Sequence, residues 1–213
     1  MVFLDYQNVY HRARDYFGQD ENDDPCLGHV RPLRLGLLLK QLGEAKDPER
    51  KLEQVRVYRG EPGLQSHPSL QSAFQRQIGA WEQRKPVIEV IKRPLRYHPT
   101  AFDHLGKPIA WDSGREKGID VILALDLVLG AIRDEYDVAI LFSGDTDLVP
   151  AIDEAISAGK RVENAVWKPD GKHARPLQGT RKRIWCHQLD RKKFDWVKDP
   201  VNYLHEVGDT AAL

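Results

Sequence analysis

The chain has 213 residues, 41% of them apolar, and its 32 basic and 32 acidic residues leave a formal net charge of +0. That length suits one α/β domain with a real core, and the balance gives no overall argument for a polyanionic partner. Cys26 and Cys186 are far apart with no CxxC spacing, so neither a disulfide framework nor a zinc motif is expected. No run approaches the roughly 18 apolar residues of a membrane span, and the opening apolar run has no basic segment before it, so a cytoplasmic protein without a secretory leader is expected.

Residues 1–4 (MVFL) are too few for a helix and read as a central strand ending at Asp5. YQNVYHRARDYF follows and places Asn8 three residues beyond Asp5. Residues 19–29 are polar and turn-rich. Their Asp20, Glu21, Asp23 and Asp24 are metal-capable in principle but read as a solvated loop. Residues 31–42 carry Leu35, Leu38, Leu39 and Leu42 at helical spacing, with Pro32 near the start and Gly43 to end the helix. Residues 52–58 read as a strand, 62–68 as a loop, 69–84 as an amphipathic helix through Leu70, Phe74, Ile78 and Trp81, and 87–91 as a strand.

Residues 92–112 contain Pro94, Pro99 and Pro108 and are too long for a simple connection, so an irregular, functional loop is expected. Residues 116–132 form an apolar helix interrupted by Asp120 and Asp126, and 138–142 (VAILF) a buried strand running into SGDTD. A helix over 148–158 closes at Gly159, and 161–167 is a strand. A weak helix over 173–180, a short strand over 184–187, a short helix over 192–198 and a polar tail from 201 complete the chain. The alternation predicts a central, mainly parallel sheet with right-handed crossovers and helices on both faces.

Acids gather at predicted strand tips. Asp5 ends the first strand, Asp145 and Asp147 follow the 138–142 strand, and Asp120 opens the apolar helix, with Glu116 one turn earlier. If the two strands are neighbours, their tips lie about 5 Å apart and the acids face one crevice. Crowded carboxylates raise one another's pKa, and a hard cation such as Mg²⁺ or Mn²⁺ resolves the repulsion with oxygen ligands. Asn8 and Ser143 suit hydrogen bonds to a phosphate oxygen or a coordinated water, and Lys117 suits the phosphate. Each acid also has an ordinary reading: Asp5 as a turn starter, Asp147 as cap of the 148 helix, Asp120 as a first-turn acid. Asp126, within the apolar stretch, needs a partner, with Arg12, Arg14 or Lys117 as candidates, or a place supporting the acidic site.

Asp5-Tyr-Gln-Asn8, Lys117-Gly-Ile-Asp120-Val-x-x-Ala-x-Asp126 and Ser143-Gly-Asp145-Thr-Asp147-x-x-x-Ala151 in this order resemble the NYN domain, a branch of the PIN-like nuclease superfamily related to the LabA/DUF88 group. The resemblance spans roughly residues 1–190. It implies a Rossmann-like PIN-type three-layer fold; the loop insertion at about 92–114 and the short C-terminal helix and tail over 191–213 are less typical of the family. It also implies a metal-dependent ribonuclease whose acidic site is Asp5, Asp120, Asp145 and Asp147, with Asn8 in support. The expected reaction is in-line attack of water on RNA phosphodiesters, leaving a 5′-phosphate and a 3′-hydroxyl. Two alternatives stay open: a non-catalytic RNA-binding module of the same fold, and a small-molecule phosphohydrolase. The latter lacks a DxDxT motif or a Gly-rich phosphate loop.

For RNA, charge distribution matters more than the total. Residues 160–198 hold twelve bases against four acids, an excess of eight, which suggests a polyanion-facing surface. Lys172, Arg175 and Arg181 belong to it. Lys92, Arg93 and Arg96, beside Tyr97 and His98, add basic and aromatic groups that suit unpaired bases. Trp167 and Trp185 are expected in the core; His67, His98, His104 and His173 have no ligand spacing. A homodimer is compatible with the sequence.

Overall fold

The computed structural model describes residues 1–18, 26–84, 87–169, 171 and 174–204. Asp20, Glu21, Asp23, Asp24, Lys172 and His173 lie outside these. In chain order the elements are β1 (Val2–Asp5), α1 (Tyr6–Phe17), α2 (Pro32–Glu44), β2 (Val55–Glu61), α3 (Pro68–Glu82), β3 (Ile88–Pro94), β4 (Pro99–Phe102), β5 (Pro108–Trp111), α4 (Ile119–Ile132), β6 (Val138–Phe142), α5 (Val149–Ser157), β7 (Arg161–Trp167), β8 (Trp185–Leu189) and α6 (Arg191–Val197). A short 3₁₀ turn, Thr146–Leu148, joins β6 to α5.

Six strands form one parallel sheet in the order β3-β2-β1-β6-β7-β8, and β4 and β5 pair separately as an antiparallel hairpin. β1 is buried along its whole length because it lies inside the sheet with helices over both faces. Val2 and Leu4 join the core under α1, α2, α3 and α6, while Phe3 joins the core under α4 and α5. Strands covered on both faces read as continuous apolar runs, and each such side chain contributes about 1.5–3 kcal/mol when fully buried.

The structure departs from the sequence reading in four places. YQNVYHRARDYF is a full helix, α1. Its Tyr6, Val9, Ala13 and Phe17 point inward, and Asp5 caps its start by accepting from the Asn8 amide. Residues 92–112 are largely ordered, since β3 runs on to Pro94 and the β4–β5 hairpin follows. Pro99 and Pro108 stand at the first positions of their strands, where a missing N–H is tolerated. The apolar helix starts at Ile119, not 116, because Gly118 before it adopts φ 77°, a left-handed conformation that glycine accepts freely. Residues 174–179 form no helix; the Leu177 amide donates instead to the Asn164 side chain at 2.8 Å.

Candidate active site

From β1 the chain builds outward through β2 and β3 on one side, and from β6 through β7 and β8 on the other. The order therefore reverses between β1 and β6, and in open α/β sheets ligands bind in the crevice outside the strand carboxyl ends at such a point. The register sets Leu4 against Phe142, so Asp5 and Ser143 emerge side by side.

Hydrogen bonds hold this junction in place. Ser143, fully buried, donates from Oγ to Asp5 Oδ2 at 2.7 Å and accepts the Asp145 amide at 3.0 Å. Asn8 Oδ1 accepts the Gly144 amide at 3.2 Å, tying α1 to the loop after β6. Asn164, also fully buried, donates to the Leu141 and Ser143 carbonyls, each at 2.9 Å. Asp145 Oδ1 accepts the Asp147 amide at 3.0 Å and so caps the 3₁₀ turn. The cap is therefore Asp145, not Asp147, and the Asp147 carboxylate is left exposed.

The electrostatics are those of crowded acid. Asp5 is only 6% exposed, and burial raises its pKa to about 6. The bonds from Ser143 and Asn8 oppose that rise, and the charges of Asp120 and Asp145 add to it. Burial, then Asp145 and Asp147, also raise the Asp120 pKa. No ion pair joins these four aspartates to a base among the described residues. Asp5, Asn8, Asp120 and Asp145 line one open cavity of about 290 Å³.

The donor set suits a hard cation, because it offers carboxylate oxygens that no base among the described residues neutralises by an ion pair. Among the described residues, no group of three His, Cys, Asp or Glu side chains is spaced to hold a metal ion by itself. Mg²⁺ characteristically needs no such cage, since one or two carboxylates, waters and substrate phosphate complete its shell.

The other predicted residues scatter. Glu116 stands ahead of α4 and accepts the Gly60 amide at 2.6 Å. Burial lifts its pKa to about 7; the Gly60 bond opposes this, Asp5 and Asp120 add to it, and Arg59 opposes it. A Cβ at Gly60 would sit 2.3 Å from Leu95 Cδ2 and 2.8 Å from the Glu116 carboxylate, so any larger residue would push both side chains aside. Lys117 is exposed just before α4. Asp126 pairs with none of Arg12, Arg14 or Lys117; it accepts from Tyr58 Oη at 2.8 Å, across the core from β2.

The basic residues divide between the two ends of the sheet. Lys92 and Arg93 are exposed at the carboxyl end of β3, on the edge that carries the acids, with Arg96 just beyond. Arg181 lies at the opposite edge, where it donates to Ser157 at the far end of α5. Arg175 is exposed on the β7–β8 connection. Trp167 is core, as expected, but Trp185 is 47% exposed beneath Lys46, whose Nζ lies 3.5 Å from the ring centroid.

Sequence reading missed several contributors. Gln7, His11, Arg12 and Asp15 of α1 also line the acidic cavity. Their three- and four-residue spacing, complementary to the buried Tyr6, Val9, Ala13 and Phe17, is the helical signal that reveals them. Asn164 sits inside the RVENAVW strand and gives no local sign of its role.

A six-stranded parallel sheet between two helical layers, with an acidic crevice at its switch point, defines a protein of the PIN-like α/β class. The model of the NYN domain matches residues 1–183, and the chain belongs to this family of PIN-like nucleases. No curated protein matches it. Among solved structures it is similar to a protein of unknown function from Vibrio parahaemolyticus, at 18% identity over 78% of each chain with a TM-score of 0.46. No helix among the described residues is long and apolar enough to cross a membrane.

Proposed function

We propose that the protein is a divalent-metal-dependent endoribonuclease. The observation that carries this reading is Asp5: a buried carboxylate, fastened by Ser143 and facing Asp120 and Asp145, with no basic partner among the described residues. Leaving negative charge uncompensated is costly, and a cation-binding crevice gives it a use. Membership of a nuclease family supports the same conclusion.

Asp5, Asp120, Asp145 and Asp147 would hold Mg²⁺ or Mn²⁺. Such an ion supplies Lewis acidity, which lowers the pKa of water and neutralises charge developing on a phosphodiester. The chain's own residues do the rest. Ser143 and Asn8 fix the Asp5 carboxylate and the loop after β6, so the crevice is preorganised. Lys117, exposed just before α4, would contact the phosphate. Lys92, Arg93 and Arg96 flank the same edge and draw in the RNA backbone, adding a salt-dependent attraction.

The test is cleavage of single-stranded and structured RNA with Mn²⁺, Mg²⁺ or EDTA, comparing wild type with Asp5→Asn and Asp145→Asn. Metal-dependent products with 5′-phosphate ends, lost in both variants, are expected. Equal activity in all three proteins would sink the assignment. RNA binding without turnover would leave a non-catalytic module instead, and turnover of a generic phosphate monoester alone would point to a phosphohydrolase.

A further inference from the structure

A second, larger cavity of about 530 Å³ adjoins the acidic one. Gln7 and His11 line both, and Glu116, in the wall of the larger, feels the charges of Asp5 and Asp120. Part of its wall is flat rings: Tyr10 lies tilted against His29 with centroids 4.6 Å apart, and Phe74 and Tyr6 line the same space. His29 is kept uncharged, because burial and the nearby Arg59 and Arg14 push its pKa down to about 3.

Arg59 of β2 lies in this wall. Its guanidinium stands over the rings of Tyr6, Phe74 and Trp81 at 4.8, 4.9 and 5.7 Å. It donates one hydrogen bond to Gln77 Oε1, and this also settles the amide's orientation, since a flipped amide would turn N–H groups onto the cation. Among the described residues no carboxylate forms an ion pair with Arg59, although the charge of Glu116 favours its charged form. Guanidinium carries five N–H donors, and withdrawing such a charge from water without an anion costs several kcal/mol. The cavity therefore holds a rigid donor fork, flat aromatic walls and, at Glu116, a carboxylate with one oxygen on Gly60.

Guanine matches that set. It presents adjacent acceptors, O6 and N7, which Arg reads with two hydrogen bonds, and an exocyclic N2 donor; N1–H lies beside it. Adenine, cytosine and uracil do not offer an acceptor pair next to a donor pair. We propose that this cavity takes the base of a guanosine next to the scissile phosphate, with Arg59 on O6 and N7, Glu116 on N1 and N2, and an aromatic wall against its face. The inference names the substrate preference of the nuclease site and rests on that reading.

Binding and cleavage test it separately. In EDTA, the four nucleoside 5′-monophosphates are titrated against wild type by tryptophan fluorescence. Guanosine monophosphate should bind about tenfold or more tightly than the others. Arg59→Lys, which removes the planar fork, and Glu116→Gln should each abolish the preference, with thermal melts confirming that both fold. Tyr10→Ala should weaken all four alike. Asp5→Asn should retain the preference while losing cleavage. An oligouridine carrying one guanosine should be cut beside it by wild type and at scattered positions by Arg59→Lys. Equal binding of the four nucleotides, no binding, or cuts indifferent to the guanosine would overturn the proposal while the nuclease reading stands. Guanosine preference without any RNA cleavage would keep the base site and remove the nuclease reading.

Discussion

Asp5 and Glu163 are buried carboxylates in one sheet, on β1 and β7, and their surroundings treat them in opposite ways. Glu163 is 2% exposed and takes both terminal nitrogens of Arg50, at 2.8 and 2.9 Å, plus His187 Nε2 at 2.8 Å. Burial alone would raise its pKa, but the bonds and charges of Arg50 and His187 outweigh it and bring the pKa down to about 2. Asp5 has a hydroxyl and an amide for partners and carboxylates for neighbours, and its pKa goes up to about 6. The same burial therefore has two outcomes: where the charge is matched internally it secures the fold, and where it is left over it suits the proposed cation site.

Substitution at each acid tests this contrast most strongly. Asp5→Asn is expected to lower RNA cleavage about 10³-fold, the loss of several kcal/mol of transition-state stabilisation, while raising Tm in EDTA by several degrees. Gel assays and calorimetry check the two effects, and a fall in Tm would break the contrast. Glu163→Gln is expected to destabilise the fold by about 3–5 kcal/mol, because Arg50 is left as an uncompensated buried charge. Urea denaturation measures this, and the specific activity of the folded fraction should not change.

On the proposed reading, a divalent cation would supply the compensation Asp5 lacks. Mn²⁺ at a hundred times its Kd should stabilise wild type by about 2.7 kcal/mol and Asp5→Asn by almost nothing, read as a Tm shift. The pH dependence carries opposite signs at the two acids. Glu163 has a folded pKa of about 2 against 4.5, so its stabilisation is complete above about pH 4.5 and disappears as pH falls towards 2. Asp5 has a folded pKa of about 6 against 3.8, so its ionisation penalty grows as pH rises from 4 to 6. Wild type should therefore lose about 2 kcal/mol relative to Asp5→Asn between pH 4 and 7, measured from urea midpoints. Glu116, whose pKa is about 7, extends the trend upward and Glu116→Gln isolates its share. The smallest effect concerns the two edges of the sheet: Lys92→Gln with Arg93→Gln should reduce the log–log salt slope of single-stranded RNA binding by about 1.4, and Arg181→Gln at the far edge should leave it unchanged.

Much of this molecule is legible in local pattern. The apolar runs at 1–4 and 138–142, the β-rich 161–167 and the helical leucines after Pro32 announce their elements because burial imposes a period of its own on each. Asp5, Asp120 and Asp145 are conspicuous because a strand tip or an apolar helix has no packing use for an acid. α1 escaped because its polar face, with Asn8, His11, Arg12 and Asp15, masks a four-residue apolar stripe. The residues that stabilise or shape the site from a distance leave no such trace. Asn164 fastens Ser143 from another strand, Arg59 reaches its cavity only once β2 lies beside β1, and Arg50 meets Glu163 across 113 positions.

The sequence by itself determined the buried strands of the sheet, most of its covering helices and the acids at their ends, because these follow from neighbours a few residues apart. The tertiary structure alone decided that β1 and β6 lie side by side where the strand order reverses, that Asp145 rather than Asp147 caps the turn, and that one buried carboxylate is neutralised while the other is left open. Those outcomes depend on strand order and register, and each is set by the packing of the whole sheet rather than by any local run of residues.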